Sequence, residues 1–380
     1  MNIGILKEDP SLEKRVALTP AGVQTLVAAG NSVYVEHQAG SQTLFRDEDY
    51  RDFGGVISYT AEEIINRCDV ILKVSPPNEK EIGQLQEGQG LFSFLHLAVS
   101  QRKTIEALLE RKATAVAYEL IENAKGDLSI LQVMSEIAGQ ISIQVAAHLL
   151  QAKEGGRGIL LGNIPGVPSA SVVILGAGTV GRTAARVALG LGANVTVLDT
   201  DLSRLRDLNL RVPVSVNTEV ATSYAVGRAV RFADVVIGAV LLKGEKAPHL
   251  VTEDMVKDMK VGSVILDVSI DQGGCVETSR PTTFEDPTFL RHGVVHYAVP
   301  NMTAAVPRTA TVALTNALLP YLLELSGQGP TAAFRSNPGL ARGVCTFGGI
   351  CTNAAVARAF NLPSKPLMRM LPTALESMKN

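Results

Sequence analysis

The sequence contains no tryptophan, few other aromatic residues and almost no net charge. Aromatic residues make up 4% of the 380 residues, and 35 Lys and Arg stand against 37 Asp and Glu. No run of like charges is present, so the sequence lacks the electrostatic footprint of a nucleic-acid-binding protein. No apolar stretch reaches the roughly 18 residues of a membrane helix, and the N-terminus lacks the pattern of a secretory signal. We expect a cytoplasmic protein that acts on small molecules, without nucleic-acid or membrane partners.

Cysteine is also scarce. The four cysteines, Cys68, Cys275, Cys345 and Cys351, include no CxxC spacing. This pattern predicts free thiols in a reducing compartment and disfavours both a disulfide framework and a zinc site. We therefore expect no bound metal.

Apolar residues are plentiful enough for two folded cores. They make up 46% of the chain, and 380 residues is about twice the usual size of one domain. Short β-rich runs alternate with helical patterns over the first 130 residues and again from Ala170, which is typical of βαβ units around a parallel sheet. A helical pattern over residues 131–151 and a loop rich in Gly and Pro separate the two alternations.

The second alternation includes a β-rich run at residues 214–216. A helical pattern then runs from Pro307 through Leu325. Residues 326–366 carry scattered Gly and Pro, so we expect them to be irregular and to return to the first domain.

The most specific motif is a glycine-rich turn between a strand and a helix. The β-branched run Ser171–Leu175 precedes Gly176-Ala177-Gly178-Thr179-Val180-Gly181, and strong helix formers follow. Gly176 permits the tight turn, Gly178 lets the backbone approach a pyrophosphate, and Gly181 lets helix and strand pack closely. The helix N-terminus faces the negative charge of the phosphates. This context predicts a dinucleotide-binding site.

Asp199 ends the next β-rich run, about 20 residues after the glycine turn, where a carboxylate accepts hydrogen bonds from the adenosine ribose. The same carboxylate repels a 2′-phosphate, and the only basic residues close by are Arg204 and Arg206, so NAD is favoured over NADP. Arg204 is included among the cofactor-binding candidates. Asp199 also begins a segment that resembles a helix cap, so capping is a second possible role.

These patterns predict an α/β fold of two doubly wound domains with a cleft between them. Residues 131–307 form a Rossmann dinucleotide-binding domain. Residues 1–130 and 308–380 form a flavodoxin-like or Rossmann-like substrate domain.

Further motifs make the sequence similar, nearly end to end, to the NAD-dependent L-alanine dehydrogenases. That family shares its fold with the NAD-binding subunit of proton-translocating transhydrogenases. The similar segments are KRVALTP at 14–20, FLHLA at 94–98, AYE at 117–119, MSEIAG at 134–139, GGRG at 155–158, IPGV at 164–167, IGAV at 237–240, IDQGGC at 270–275, PNM at 300–302 and AVPRT at 305–309. The His of FLHLA and the DQGGC form favour the dehydrogenase branch.

The resemblance implies that the protein interconverts L-alanine with pyruvate and ammonium, using His96 as general acid/base and Asp271 as its partner beside the substrate. Histidine suits this role because it titrates near neutral pH. Arg15 matches the arginine that binds the substrate carboxylate, for which a planar fork is suited. On the residues alone, a satisfied core histidine is the commoner interpretation of His96, and a surface arginine is the commoner interpretation of Arg15.

The resemblance also implies a homo-oligomer, a hexamer in most members. Six residues match positions that line the cofactor or substrate cleft of the family, although core packing is the simpler interpretation for two of them, Met134 and Val240. The six are Met134, Ser135, Val240, Asp271, Asn301 and Met302.

One motif departs from the family. The relatives carry K-V-K-E-P, and the second lysine contacts the substrate; this chain has Lys73-Val74-Ser75-Pro76-Pro77. Lys73 and Ser75 should point the same way on an extended segment, and both are candidate substrate-binding residues. Loss of a fixed cation is expected to slow the reaction on the order of a hundredfold. A second departure is CTFGG at 345–349, where relatives have T-H-x-G.

Three interpretations follow from Ser75. In the first, Lys73 compensates for the missing lysine and the protein is an alanine dehydrogenase. In the second, the protein is a related amino-acid or imino-acid oxidoreductase whose substrate has changed. In the third, the protein is a transhydrogenase-like NAD-binding protein with weak or no turnover.

Overall fold

A computed structural model describes residues 1–97, 100–211, 216–241 and 247–371. The chain forms two compact units, which are Met1–Met134 together with the chain from Ala304 onward, and Ser135–Thr303. Ala98 of the FLHLA motif, and residues 214 and 215 of the predicted strand at 214–216, lie outside the described residues.

The first unit begins as a regular alternation of strands and helices. Local capping signals define several of its helices: Thr19 caps the first, which has Pro20 at its start, and Asn78 forms a capping box with Glu81. The elements in chain order are β1 (Asn2–Ile5), α1 (Pro20–Ala28), β2 (Ser32–Glu36), α2 (Asp47–Asp52), β3 (Val56–Ser58), α3 (Ala61–Arg67), β4 (Val70–Leu72), α4 (Glu79–Gln84), β5 (Gly90–Ser93), α5 (Arg102–Glu110), β6 (Thr114–Ala117) and α6 (Ser129–Leu149).

The second unit repeats this alternation after α6. Its elements are β7 (Ser171–Leu175), α7 (Thr179–Gly190), β8 (Asn194–Asp199), α8 (Leu202–Arg211), β9 (Asn217–Val220), α9 (Ser223–Phe232), β10 (Val235–Gly238), α10 (Glu253–Lys257), β11 (Val264–Asp267), β12 (Thr288–Arg291) and β13 (Val294–Tyr297). The strand nearest the predicted run at 214–216 is β9, which spans Asn217–Val220.

The remainder of the chain belongs to the first unit. Its elements are α11 (Pro307–Gln328), α12 (Pro330–Ser336), α13 (Pro338–Arg342), β14 (Val344–Phe347), β15 (Ile350–Cys351) and α14 (Ala354–Phe360). The expectation that residues 326–366 are irregular is wrong. Pro330 and Pro338 each occupy a helix start, where a missing N–H is tolerated, so these prolines begin helices.

Both sheets have the doubly wound order. In the first unit the parallel strands run β3-β2-β1-β4-β5-β6, and β14 extends the sheet by pairing antiparallel with β6. In the second unit the parallel strands run β9-β8-β7-β10-β11-β13, with β12 antiparallel at the edge. The predicted α/β class is confirmed. Of the two alternatives for the first unit, the strand order is Rossmann-like and not flavodoxin-like.

Each sheet forms the centre of a hydrophobic core. The strands β4, β5 and β6 are buried at every position, as are β10 and β11, which is typical of parallel strands covered on both faces. All four cysteines are buried free thiols. Within the described ranges, no helix is long and apolar enough to cross a membrane. In doubly wound sheets, ligands bind outside the carboxyl ends of the strands, so those ends are the places to look for function.

Candidate functional site

Four strands of the first unit are followed at their carboxyl ends by polar or ionisable residues. Glu8 comes after β1, Lys73 after β4, His96 after β5 and Glu119 after β6. Because these strands are parallel neighbours in one sheet, their carboxyl ends lie along the same edge. The candidate substrate residues of the first unit therefore belong to one edge of its sheet.

Lys73 is buried and makes two ion pairs. Its Nζ lies 2.9 Å from Oε1 of Glu81 and 3.5 Å from Oε2 of Glu8, and its side chain is only 4% exposed. Burial lowers the pKa of Lys73, but the negative charges of Glu8 and Glu81 outweigh that effect and raise it. Lys73 is thus a charged residue with two carboxylate partners in the protein itself.

Ser75 also bonds to Glu8. The Ser75 hydroxyl donates to Oε2 of Glu8, and the Val74 N–H donates to Oε1 at 2.6 Å. Lys73 and Ser75 reach the same carboxylate, as expected for alternate residues of an extended segment. Burial raises the pKa of Glu8 despite these donors and the charge of Lys73. Ser75 therefore donates a hydrogen bond to a buried carboxylate.

Arg15 is buried and oriented by an adjacent carboxylate. Its Nε and Nη2 donate to the two oxygens of Glu13 at 2.8 and 2.7 Å, and its Nη1 donates to Sδ of Met134 at 3.2 Å. The guanidinium lies 5.7 Å from the centre of the Phe94 ring. A surface arginine is therefore the wrong interpretation of Arg15.

Helix α11 holds the segment that follows Arg15. The N–H of Val16 donates to Oγ1 of Thr311 at 3.1 Å, and the N–H of Thr19 donates to Oγ1 of Thr315 at 2.9 Å. Both threonines are buried. The tail of the chain thus fixes the backbone next to the predicted carboxylate-binding residue.

His96 shares an aromatic neighbour with Arg15. The His96 and Phe94 rings are nearly parallel, at 13°, with centroids 6.1 Å apart. The His96 side chain is 34% exposed, and its Nδ1 lies 4.0 Å from Oε1 of Glu119. The interpretation of His96 as a fully buried core histidine is therefore excluded.

A small cavity opens beside Arg15. Its volume is about 110 Å³, and its walls also include Glu8, Glu13 and Lys14. This is space for a few water molecules, and it suits a small ligand with charged groups rather than a nucleotide.

The glycine turn of the second unit has the geometry that its sequence predicts. Gly176 has φ +105° and a Cβ there would lie 2.4 Å from the carbonyl oxygen of Ala239. A Cβ at Gly181 would lie 1.8 Å from the carbonyl oxygen of Gly176. A Cβ at Gly178 would meet no protein atom within 4 Å, so no protein neighbour requires glycine there. Gly176 and Gly181 are needed for packing, and Gly178 fits the close approach of a ligand.

Asp199 lies beside this turn. Its Oδ2 accepts from the N–H of Ala177 at 2.7 Å, and its Oδ1 accepts from the N–H of Asp201 at 2.8 Å. Nη1 of Arg204 lies 3.8 Å from Oδ2 of Asp199. The helix-capping role belongs to Asp201, whose Oδ1 accepts from the N–H of Ser203. Asp199 is therefore not the cap of α8.

Asp271 and Asn301 are bonded to each other. Oδ1 of Asp271 accepts from the N–H of Asn301 at 2.8 Å, and Asn301 has a left-handed backbone with φ +54°. Asp271 lies in the 3-10 turn Val268–Gln272, which follows β11. The structure thus brings two of the predicted site residues together within the second unit.

The turn that carries Asp271 also contacts Val240. Oγ of Ser269 accepts from the N–H of Val240 at 2.9 Å. The buried carboxylate of Asp267 accepts from the N–H groups of Ser269 and Cys275, and burial raises the pKa of Asp267. Asp267 therefore binds the start of the turn and the segment that follows it.

The remaining candidates lie on helical segments. Ser135 is half-buried on α6, and Met302 is buried at the start of the 3-10 turn Met302–Ala305. Met134, also on α6, is 5% exposed, and its contact with Arg15 favours the packing interpretation over cofactor binding.

Sequence reasoning assigned no role to several charged residues that surround the predicted ones. Glu8, Glu13, Glu81 and Glu119 each bond to a predicted site residue or to its backbone. Glu8 and Glu119 follow strand ends, so the rule that function gathers at carboxyl ends would have selected them. Glu81 lies in a helix and gives no comparable signal.

The whole chain matches known proteins. Residues 4–138 match the family described as "Alanine dehydrogenase/PNT, N-terminal domain", and residues 142–354 match "Alanine dehydrogenase/PNT, C-terminal domain". The chain is 47% identical to an alanine dehydrogenase of Methanococcus maripaludis over 372 residues, which is 98% of this chain and 100% of the relative. It is 46% identical to the alanine dehydrogenase of Mycobacterium tuberculosis over 363 residues, 96% of this chain and 98% of the relative.

Solved structures give the same result. A structure named L-alanine dehydrogenase aligns with a TM-score of 0.89 and 43% identity, covering 95% of this chain and 99% of that one. A transhydrogenase from Sinorhizobium meliloti aligns with a TM-score of 0.78 and 25% identity, covering 93% and 100%. Because these matches span both units and nearly the full length of the relatives, the resemblance predicted from the motifs is confirmed, and the chain belongs to the alanine dehydrogenase/PNT family.

Proposed function

We propose that this protein catalyses the NAD-dependent oxidative deamination of L-alanine to pyruvate and ammonia, and the reverse reductive amination. The observation that supports it best is the arrangement around Phe94, where Arg15 and His96 contact the same ring. One is a fixed cation suited to a carboxylate, and the other is a partly exposed group able to exchange protons. An amino-acid dehydrogenase requires both.

The second unit is the proposed cofactor domain. Gly176, Gly178 and Gly181 would hold the pyrophosphate at the start of α7, and Asp199 would accept hydrogen bonds from the adenosine ribose. The fit rests on the open space at Gly178, where a side chain would occupy the approach of a ligand. Arg204, Val240, Ser135, Asn301 and Met302 are proposed to complete this site. When bound, NAD accepts the hydride that leaves Cα of the amino acid.

Arg15 is the proposed anchor for the substrate carboxylate. Glu13 fixes the guanidinium through two hydrogen bonds, so little side-chain freedom is lost when a carboxylate binds. The small cavity beside Arg15, with its charged walls, has room for the charged groups of a ligand as small as alanine.

His96 is the proposed general acid/base. Deamination requires a neutral amine before the C–H bond breaks, then addition of water to the imine carbon, and finally a proton for the departing ammonia. A histidine performs these transfers near neutral pH because both of its protonation states are accessible. Asp271 is proposed as the second acidic group of the reaction.

The contacts of Ser75 support a second candidate, which is a related oxidoreductase with a different amino-acid or imino-acid substrate. Lys73 pairs with two carboxylates, Glu8 and Glu81, whereas Arg15 pairs with Glu13, so Lys73 is the less able of the two to serve a substrate unless its ion pairs open. A substrate that needs no second cation would suit this arrangement. In the transhydrogenase-like alternative, the protein binds NAD but turns substrate over weakly or not at all.

We further propose that the protein works in the cytoplasm as a homo-oligomer, a hexamer, acting on L-alanine, pyruvate and ammonium. This proposal rests on the family resemblance of the sequence.

The first test is the oxidation of NADH in the presence of pyruvate and ammonium by the protein and by the Ser75→Lys variant. We expect the protein to turn over, and the variant to turn over faster by roughly tenfold or more, because a fixed cation stabilises negative charge that develops on the substrate oxygen. The exposed Ser364→Lys is the matched control and should leave the rate unchanged.

Other outcomes identify the alternatives. Turnover only with a different 2-oxo acid would support the second candidate. NADH binding without turnover of any 2-oxo acid would contradict both dehydrogenase proposals and favour the transhydrogenase-like one.

Replacement of Lys73 tests whether its role is structural. Lys73→Met leaves Glu8 and Glu81 buried without their cation, so we expect a loss of about 3 kcal/mol in the free energy of unfolding by urea. Lys112→Met removes an exposed ion pair with Glu87 and should change that free energy by less than about 1 kcal/mol. A raised KM for pyruvate with unchanged stability would instead mean that Lys73 serves the substrate.

Replacement of Asp199 tests the choice of cofactor. The protein should use NADH in preference to NADPH, and Asp199→Ser should reduce kcat/KM for NADH by roughly tenfold and narrow that preference, because the repulsion of a 2′-phosphate is removed. Asp258→Ser removes an exposed carboxylate that pairs with Arg231 and should leave the preference unchanged. Equal use of NADPH by the unmodified protein would contradict the assignment of Asp199.

The assembly is tested by size-exclusion chromatography with light scattering. We expect a mass near six copies of the 40.2 kDa chain. A monomer at micromolar concentration would contradict the proposed hexamer.

A further inference from the structure

Glu119 binds the backbone of the segment that carries His96. Its Oε1 accepts from the N–H of His96 at 2.7 Å, and its Oε2 accepts from the N–H of Leu95 at 3.3 Å. Glu119 follows β6 and the segment follows β5, so the contact crosses between neighbouring strand ends. Both oxygens of one carboxylate are therefore used on two consecutive amides.

The backbone of His96 has a conformation that side chains rarely adopt. Its φ is +45°, in the left-handed region that favours glycine. Such a conformation persists only where surrounding contacts hold it, and it is common at functional sites. The two hydrogen bonds to Glu119 are contacts of this kind, because they fix the N–H groups of Leu95 and His96, the two amides that precede Cα of His96.

The ring of His96 is also directed by this arrangement. Nδ1 lies 4.0 Å from Oε1 of Glu119, and the ring stacks beside Phe94, which packs edge-on against Tyr118. Nδ1 is thus on the Glu119 side of the ring. We expect Nε2, the ring nitrogen on the other side, to be the one that exchanges protons with a substrate.

We propose that Glu119 is a positioning residue, which holds the left-handed backbone of His96 and presents Nε2 of its ring. Glu119 acts through His96 and does not touch the substrate. The inference rests on the proposed function, in which His96 exchanges the protons of the reaction.

The kinetic test uses Glu119→Gln. The amide keeps the size of the side chain, but its NH₂ group cannot accept an N–H, so one of the two backbone hydrogen bonds is lost. We expect kcat to fall by roughly tenfold to a hundredfold, as for a displaced catalytic group, with KM for NADH and the affinity for NADH unchanged. Glu122→Gln is the matched control, since Glu122 pairs with Arg342 and should leave kcat unchanged.

A double-mutant cycle separates positioning from a general structural role. In a His96→Asn background, Glu119→Gln should reduce kcat by no more than about twofold further, because residues that act as a unit are not additive. Losses that multiply across the two variants, or an unchanged kcat in Glu119→Gln alone, would overturn the proposal.

A measurement without turnover distinguishes this proposal from the proposed function. Amide hydrogen exchange followed by mass spectrometry should be faster at Leu95 or His96, whichever amide loses its acceptor, in Glu119→Gln and unchanged at both in Glu122→Gln. If the protein fails to turn over alanine, the proposed function fails while the exchange experiment still tests the contact. Unchanged exchange at these two amides would overturn the positioning role.

Discussion

The buried carboxylate of Glu8 connects the strand ends on which the first unit's site is built. Glu8 follows β1. Its carboxylate accepts hydrogen bonds from the N–H of Val74 and the hydroxyl of Ser75, and it forms an ion pair with Lys73. These three residues follow β4. An ionised carboxylate away from water is costly unless such donors surround it. The conformation of residues 73–75 is therefore tied to Glu8. This is also the segment in which the family motif changes.

The same topological rule organises both units. Each sheet is parallel over six strands in the doubly wound order, so the loops that follow its strands share one edge. In the first unit that edge carries Glu8, Lys73 and His96. In the second it carries the glycine turn and Asp271. Functional residues are common at these ends because loops can adopt backbone conformations that strands cannot, such as the left-handed conformation of His96.

Local signals allowed much of this to be predicted from the sequence. Patterns among neighbouring residues predict the alternation of strands and helices and the glycine turn, and the structure contains both. The contacts of Glu119 with His96 and of Glu8 with Ser75 join residues far apart in the chain, so no local pattern reveals them. The strand β14 was missed for a related reason. Scattered Gly and Pro suggested irregular structure, but pairing with the distant β6 stabilises the strand.

A serine at position 75, where the family resemblance implies a lysine, affects more than one charge. A lysine there would bring a second cation to Glu8, whereas the serine hydroxyl supplies only a hydrogen bond, which leaves Lys73 as the cation of that carboxylate. Moving Lys73 toward a substrate would expose Glu8 and Glu81 as unpaired buried charges, and such a rearrangement is strongly unfavourable. Within the proposed function, charge on a substrate oxygen would then be stabilised by Arg15 or His96. If His96 acts in that proposed reaction both as acid and as cation, the contacts that hold its ring in place become correspondingly more important.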